Sequence, residues 1–172
     1  TTPRNMSSAA SDVYKRQGAK MQRTETVIVQ TDIQHSFSVL SDLSTYTQWL
    51  NFIDSVEPVE SKDGRVWMLV LKAQLGPFSR MKRLRMAKVS SEPHKLIRFE
   101  RKEISGRDAS DWSIDINFKE LDLITTEITF VVSYSGKLWT RTLETVFNTY
   151  VDQARTNLKA FFVSSRPQSE NE

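Results

Sequence analysis

Hydrophobic and polar residues switch between a period of two and a period near 3.6 along this chain, and each switch marks a new element. From Arg23 to Thr31, Val27, Val29 and Thr31 alternate with Ile28 and Gln30, the pattern of a strand with one buried face. Asp32 then offers its carboxylate as an N-cap, and Ile33, Phe37 and Leu40 recur at steps of four and three, which predicts a short helix. Ser44 is placed to cap a second short helix in which Tyr46, Trp49 and Leu50 face inward.

Six further strands follow, each closed by a turn signal. Strand two covers about Ser55 to Ser61 and turns at Lys62-Asp63-Gly64, where Asp-Gly favours a tight hairpin. Strand three starts at Arg65 and alternates Trp67, Leu69, Leu71, Ala73 and Leu75 with Val66, Met68, Val70, Lys72 and Gln74, so that one face is wholly apolar. Gly76-Pro77 reverses the chain into strand four, Phe78 to Ser90, and a turn at Ser91 to His94 leads to strand five, Leu96 to Ile104. Past a turn at Ser105 to Asp108, strand six sets Trp112, Ile114, Ile116 and Phe118 against Asp111, Ser113, Asp115 and Asn117. Strand seven repeats the pattern from Ile124 to Tyr134 and ends at Ser135-Gly136.

The last element, about Leu138 to Val163, carries Trp139, Leu143, Val146, Tyr150, Ala154, Leu158 and Phe161 at helical steps. An antiparallel sheet with one apolar face must cover that face, and this helix is the one element long enough to do so. The order therefore predicts an α+β domain: a curved seven-stranded antiparallel sheet wrapped around a long C-terminal helix, with two short helices after the first strand. Strands that reverse at every turn gather Phe52, Gly76 to Phe78, Ser105 to Asp108 and Ser135 to Lys137 at one end, the expected mouth of a hollow between sheet and helix.

Composition adjusts this picture only slightly. The 172 residues, 38% of them hydrophobic, suit one domain with a full core. The net charge of +3 owes much to the first twenty residues, where Arg4, Lys15, Arg16 and Lys20 oppose only Asp12; without them bases and acids balance. Global charge therefore gives no reason to expect a nucleic-acid partner. That opening stretch lacks periodicity, and Ser8 to Gln17 resembles a translated sequencing adapter. Residues 1–20 are expected to be a disordered, non-native extension before a native start at Met21, with residues 21–163 as the single domain and 164–172 as a disordered tail. The absence of cysteine removes disulfides and thiolate chemistry and fits a reducing, cytoplasmic setting. His35 and His94 are too far apart in the pattern to share a metal, and no phosphate loop or nucleophile elbow is present, so no cofactor is expected.

The run Val27 to Leu40, the segment Tyr46-Thr47-Gln48-Trp49 with Phe52 and Val56, the Gly76-Pro77 turn and the final helix after Gly136 together resemble the SRPBCC superfamily over about Thr24 to Phe162. Its helix-grip or START-like fold includes polyketide cyclases, lipid-transfer domains and plant pathogenesis-related allergens. Many members carry a proline before the first helix and a tryptophan within it, where this chain has Asp32-Ile33 and Phe37. The resemblance implies a deep apolar cavity that in relatives holds lipids, quinones, sterols or polyketides.

On these grounds the ligand-binding candidates are Trp49, Trp67, Leu69, Leu71, Trp112, Ile114, Ile116 and Phe130 as apolar lining, with the hydroxyls of Tyr134 and Tyr150 to orient a ligand. Arg83 and Arg85, on one face of strand four with Met81, Ala87 and Val89, are candidates to hold a ligand carboxylate or phenolate, against the alternative of solvated or paired arginines. The leading expectation is binding or transfer of a hydrophobic small molecule, without catalysis. The alternatives are a cyclase or dehydratase that folds a reactive chain in the pocket, and an accessory module that docks on a protein or an anionic membrane. Docking would use the ten basic residues between Arg80 and Arg107. A cyclase requires an ionisable group in the cavity; a docking module requires none and no cavity.

Overall fold

A computed structural model describes residues 19–62, 64–75, 77–102, 110–136 and 141–165. It contains β1 (Ala19–Val29), α1 (Ile33–Leu40), a 3₁₀ helix (Leu43–Gln48), β2 (Ile53–Val59), β3 (Val66–Leu75), β4 (Phe78–Glu92), β5 (Leu96–Arg101), β6 (Asp111–Asp122), β7 (Thr125–Gly136) and α2 (Arg141–Ser164). The seven strands form one antiparallel sheet in the order β1-β7-β6-β5-β4-β3-β2, so the first strand pairs with the last and the two helical turns lie between the sheet's two edge strands. This is the helix-grip α+β architecture that the alternation of polar and apolar residues predicts.

The boundaries differ in instructive ways. β1 begins at Ala19, four residues ahead of Arg23, because Ala19 and Lys20 find ladder partners in Gly136 and Ser135. The expected N-terminal extension lies otherwise outside the described residues, as do most of the C-terminal tail, the Gly76 and Ser105 to Asp108 turns, and the start of the expected helix at Leu138 to Thr140. The second helical turn is 3₁₀ rather than α, and its cap is Asp42, which accepts from Ser44 N at 2.9 Å; Ser44 itself is inside the turn. Asp32 caps α1 as its sequence position predicts, accepting from His35 N at 2.8 Å. Gly64 has φ of 91°, the left-handed geometry that the β2–β3 turn needs.

The sheet's inner face divides into two halves. In the half away from the expected mouth, Trp67, Ile97, Phe99, Ile116 and Ile128 are fully buried and meet Leu158 and Phe162 from the C-terminal part of α2, with Leu40 and Leu43 closing the side. Trp67 packs edge-on to Phe99 at 5.8 Å, and Tyr46 meets the same ring at 6.2 Å. Thr126, wholly buried among these side chains, gives its hydroxyl to the Thr31 carbonyl at 2.9 Å. In the other half the residues of α2 that face the sheet, Val146, Phe147, Tyr150 and Val151, are only partly buried, which leaves the hollow described below.

Gly136 closes β7 where backbone and side chains crowd most. A Cβ there would lie 2.5 Å from the Tyr134 hydroxyl and 2.7 Å from Ser110 Cβ. Gly136→Ala should therefore destabilise the domain by about 1–3 kcal/mol, read as a lowered urea midpoint, and Tyr134→Phe in the same chain should restore part of the loss.

Candidate functional site

Between the mouth half of the sheet and the N-terminal part of α2 lies a cavity of about 830 Å³. Strand alternation builds its walls: β3 contributes Leu69, Leu71 and Ala73, β4 contributes Leu84 and Met86, and β6 with β7 contributes Trp112, Ile114, Phe130, Val132 and Tyr134. The roof is α2, through Val146, Phe147, Tyr150, Val151, Ala154 and Leu158 at steps of three and four. The 3₁₀ helix and the residues after it fill the side with Leu43, Tyr46, Trp49 and Phe52. The Phe52 ring meets Tyr150 of the roof at 5.5 Å, tilted by 60°, and Asn157 Nδ2 donates to the Trp49 carbonyl at 3.3 Å, so wall and roof are joined along this seam.

Of the residues the sequence singled out, Trp49, Leu69, Leu71, Trp112, Ile114, Phe130, Tyr134 and Tyr150 come together in this lining. Trp67, Ile116, Arg83 and Arg85 do not. Trp67 and Ile116 have the inward parity but lie in the solid half; Trp67 is covered by Phe99, by the Arg65 guanidinium 5.3 Å from its ring and by the Lys88 ammonium at 5.9 Å. Desolvation beside that ring and the charge of Arg65 lower the Lys88 pKa, an effect that nearby Asp42 partly opposes. Arg83 and Arg85 lie on the convex face. Arg83 is exposed there, and Arg85 donates from NH2 to Ser61 Oγ at 3.0 Å. Strand four carries apolar residues on both parities, Met81, Ala87 and Val89 on one and Leu84 and Met86 on the other, so its sequence does not reveal which side turns inward.

The correct parity brings two bases that sequence reasoning passed over, Arg80 and Lys82, into the lining; Lys72 of the same hairpin borders the cavity from the other parity, opposite Met81. Across the cavity, Glu25 of β1 also lines it. Its carboxylate accepts from Arg23 Nε at 2.6 Å and pairs with Arg155 of α2, while Arg23 also donates to Asn148, so the roof is fastened to β1 by charge. A signal for this seam existed in the inward parity of Arg23 and Glu25 with Val27 and Val29, masked by the expectation that inward residues are apolar.

Polar groups elsewhere in the lining are sparse. Tyr46, fully buried, donates its hydroxyl to the Leu40 carbonyl at 2.8 Å. The indole N–H groups of Trp49 and Trp112 are enclosed with no acceptor among the described residues. Among the described residues no group of three His, Cys, Asp or Glu side chains could hold a metal ion, and no helix is long and apolar enough to cross a membrane. On the convex face the basic excess is largely engaged within the sheet: Arg98 meets Asp115 at 2.6 Å and Glu100 at 2.8 Å, and Lys102 meets Glu100 at 3.3 Å.

Burial pushes the Tyr46 phenol well above its usual value, and the Asp42 carboxylate adds to this. A group whose pKa is raised on folding stabilises the fold fully below its unfolded value, near 10 for tyrosine, and that contribution is lost as pH rises above it. Tyr46→Phe should cost about 1 kcal/mol at neutral pH by leaving the Leu40 carbonyl unanswered, and its stability should then fall less steeply above pH 10 in a pH series of urea melts.

Comparison with known proteins agrees with this geometry. The family described as polyketide cyclase/dehydrase and lipid transport matches residues 29–159. No curated protein matches the chain by sequence. Among solved structures, a START superfamily protein from Mycobacterium smegmatis superimposes with a TM-score of 0.68 at 15% identity, over 84% of this chain and 99% of its own. The ZhuI aromatase/cyclase of a Streptomyces species gives 0.66 at 14% identity, over 89% and 99%. A major latex-like protein from Panax ginseng gives 0.62 at 10% identity, over 84% and 99%. At these identities the likeness is one of fold.

Proposed function

This chain belongs to the polyketide cyclase/dehydrase and lipid transport family, and from that premise we propose that it takes up a hydrophobic small molecule between sheet and α2 and binds or transfers it without altering it. The observation that carries this reading is the cavity itself. Its volume of about 830 Å³ falls in the range of small-molecule sites, about 300–1,000 Å³, and its walls are aromatic and aliphatic apart from two charged edges. Removing apolar ligand surface from water supplies the affinity. The two indole donors without acceptors favour an oxygenated ligand, a quinone or polyketide-like chain as readily as a lipid.

A cyclase or dehydratase reading has one specific support, the ionisable Glu25 and Arg155 in the cavity wall. Because that carboxylate is already bonded to two guanidiniums, each tying it to an element of the frame, binding is the reading it serves better. An accessory module that works without a pocket is disfavoured by the hollow. Contact of the basic strands with a membrane or a protein remains an auxiliary proposal, carried mainly by exposed Arg80 and Arg83. A cytoplasmic location belongs to the same proposal and rests on the lack of cysteine.

The direct test is native mass spectrometry of the purified chain followed by organic extraction. A co-purifying apolar molecule is the expected result; a chain that carries none and takes up no apolar fluorescent probe would defeat the proposal. In a homologous series of alkyl ligands, affinity should rise roughly fourfold per CH₂, from about 0.8 kcal/mol per methylene, until the cavity is full. A flat series from the shortest member would mean the chain is not housed there.

A further inference from the structure

Among the described residues, the ionisable residues of the cavity wall are Glu25, Lys72, Arg80, Lys82 and Arg155. The one acid, Glu25, is paired with Arg155 on the β1–α2 side. The other three are bases, and all belong to the β3–β4 hairpin on the opposite side. Register sorts them by face: Leu71 faces Lys82 and Ala73 faces Arg80 on the inward parity, while Lys72 faces Met81 on the convex one, with neighbouring strands about 5 Å apart. The side chain of Arg80 has no hydrogen-bond or ion-pair partner among the described residues.

The inward row of β4 makes the pattern directional. Arg80 is exposed and Lys82 half-buried, while Leu84 is 4% and Met86 2% exposed. Charge gives way to hydrocarbon over four alternate positions of one strand. A wall graded in this way matches a molecule graded in the same way, and an anionic head meets the positive end of the row with a favourable Coulomb interaction.

We infer that the ligand is an amphiphile with an anionic head, a carboxylate or phosphate, held by Arg80 with Lys82 at the β3–β4 rim while its apolar chain lies inward against Leu84 and Met86. This rests on the cavity-binding reading above and adds the chemical class of the ligand. Arg80 supplies a planar fork suited to two oxygens of such a head, and Lys82 a second positive charge. Lys82 stands one step further in, where the head gives way to the chain.

The test uses the full chain loaded with an apolar fluorescent probe and measures displacement by dodecanoate, dodecyl phosphate, dodecanol and inorganic phosphate, each below its micellar concentration. Dodecanoate and dodecyl phosphate should displace at concentrations about tenfold lower than dodecanol, the size of one charge-assisted hydrogen bond, with the advantage shrinking as salt rises. In the double variant Arg80→Gln/Lys82→Gln the advantage should disappear while dodecanol still displaces; Arg80 is exposed and Lys82 half-buried, so the fold should persist. Equal displacement by all three dodecyl compounds in the parent chain would overturn the anionic head and leave the cavity reading standing. Failure of the probe and of every dodecyl compound to bind would overturn the cavity reading itself. An advantage that survives the double variant would mean that the head is held elsewhere, and displacement by inorganic phosphate alone would mean that a free anion, with no chain, is what the rim takes.

Discussion

The packing of Leu158 and Phe162 against the far half of the sheet decides where the hollow lies. Both are buried to the limit, together with Ile97, Phe99, Ile116 and Ile128 beneath them. That contact fixes one end of a helix of 24 residues, about 36 Å long, over a concave surface. A straight rod seated at one end of a curved trough stands clear of the other end. The space beneath it is closed at the sides by Trp49, Phe52 and Tyr46 and by the Glu25 seam, and so remains apolar and enclosed instead of filling with side chains. Away from the charged edges water gains little in such a place, because few groups there can bond to it.

The seam and the rim divide the electrostatics between two edges of the same cavity. On the β1 edge, opposite charges meet within the protein and serve as a fastener. On the β3–β4 edge, Arg80 and Lys82 bring charges of one sign to the same inward row of β4. The same residue types thus have different consequences according to whether the partner is supplied by the chain. The convex face shows a third arrangement, in which Arg98, Glu100, Asp115 and Lys102 satisfy one another across β5 and β6 and add little to stability, as exposed pairs generally do.

Alternation was legible wherever each strand kept its apolar residues on one parity. β6 and β7 show this most clearly, and Trp112, Ile114, Phe130 and Tyr134 were placed in the wall on that basis. It failed on β4, where both parities hold apolar residues, so that Arg83 and Arg85 stood in for Arg80 and Lys82. Parity also says nothing of position along a strand. Trp67 and Leu69 share a face, yet a shift of two residues separates a ring sealed under Phe99 from a side chain that lines an open space. The roof was readable as a helix from its stripe, but how far it stands from the sheet depends on the curvature of seven strands together, which no local window contains. Glu25 and Arg155, 130 residues apart, could be joined only by the fold.

The sheet order sets a sequence of events in time. β1, made first, hydrogen-bonds to β7, the last strand, along 11 consecutive rungs from Ala19 with Gly136 to Val29 with Thr126. Pairings so distant along the chain are slow to form, because most of the loop between them must be drawn in before they stabilise anything. Until then β1 has no neighbour in the sheet and β7 lacks one of its two. Only after β7 does the chain continue into the helix that covers the trough. The inner face of the sheet is therefore exposed to water throughout synthesis and folding, and the compartment that could hold a ligand comes into being with the docking of the final element.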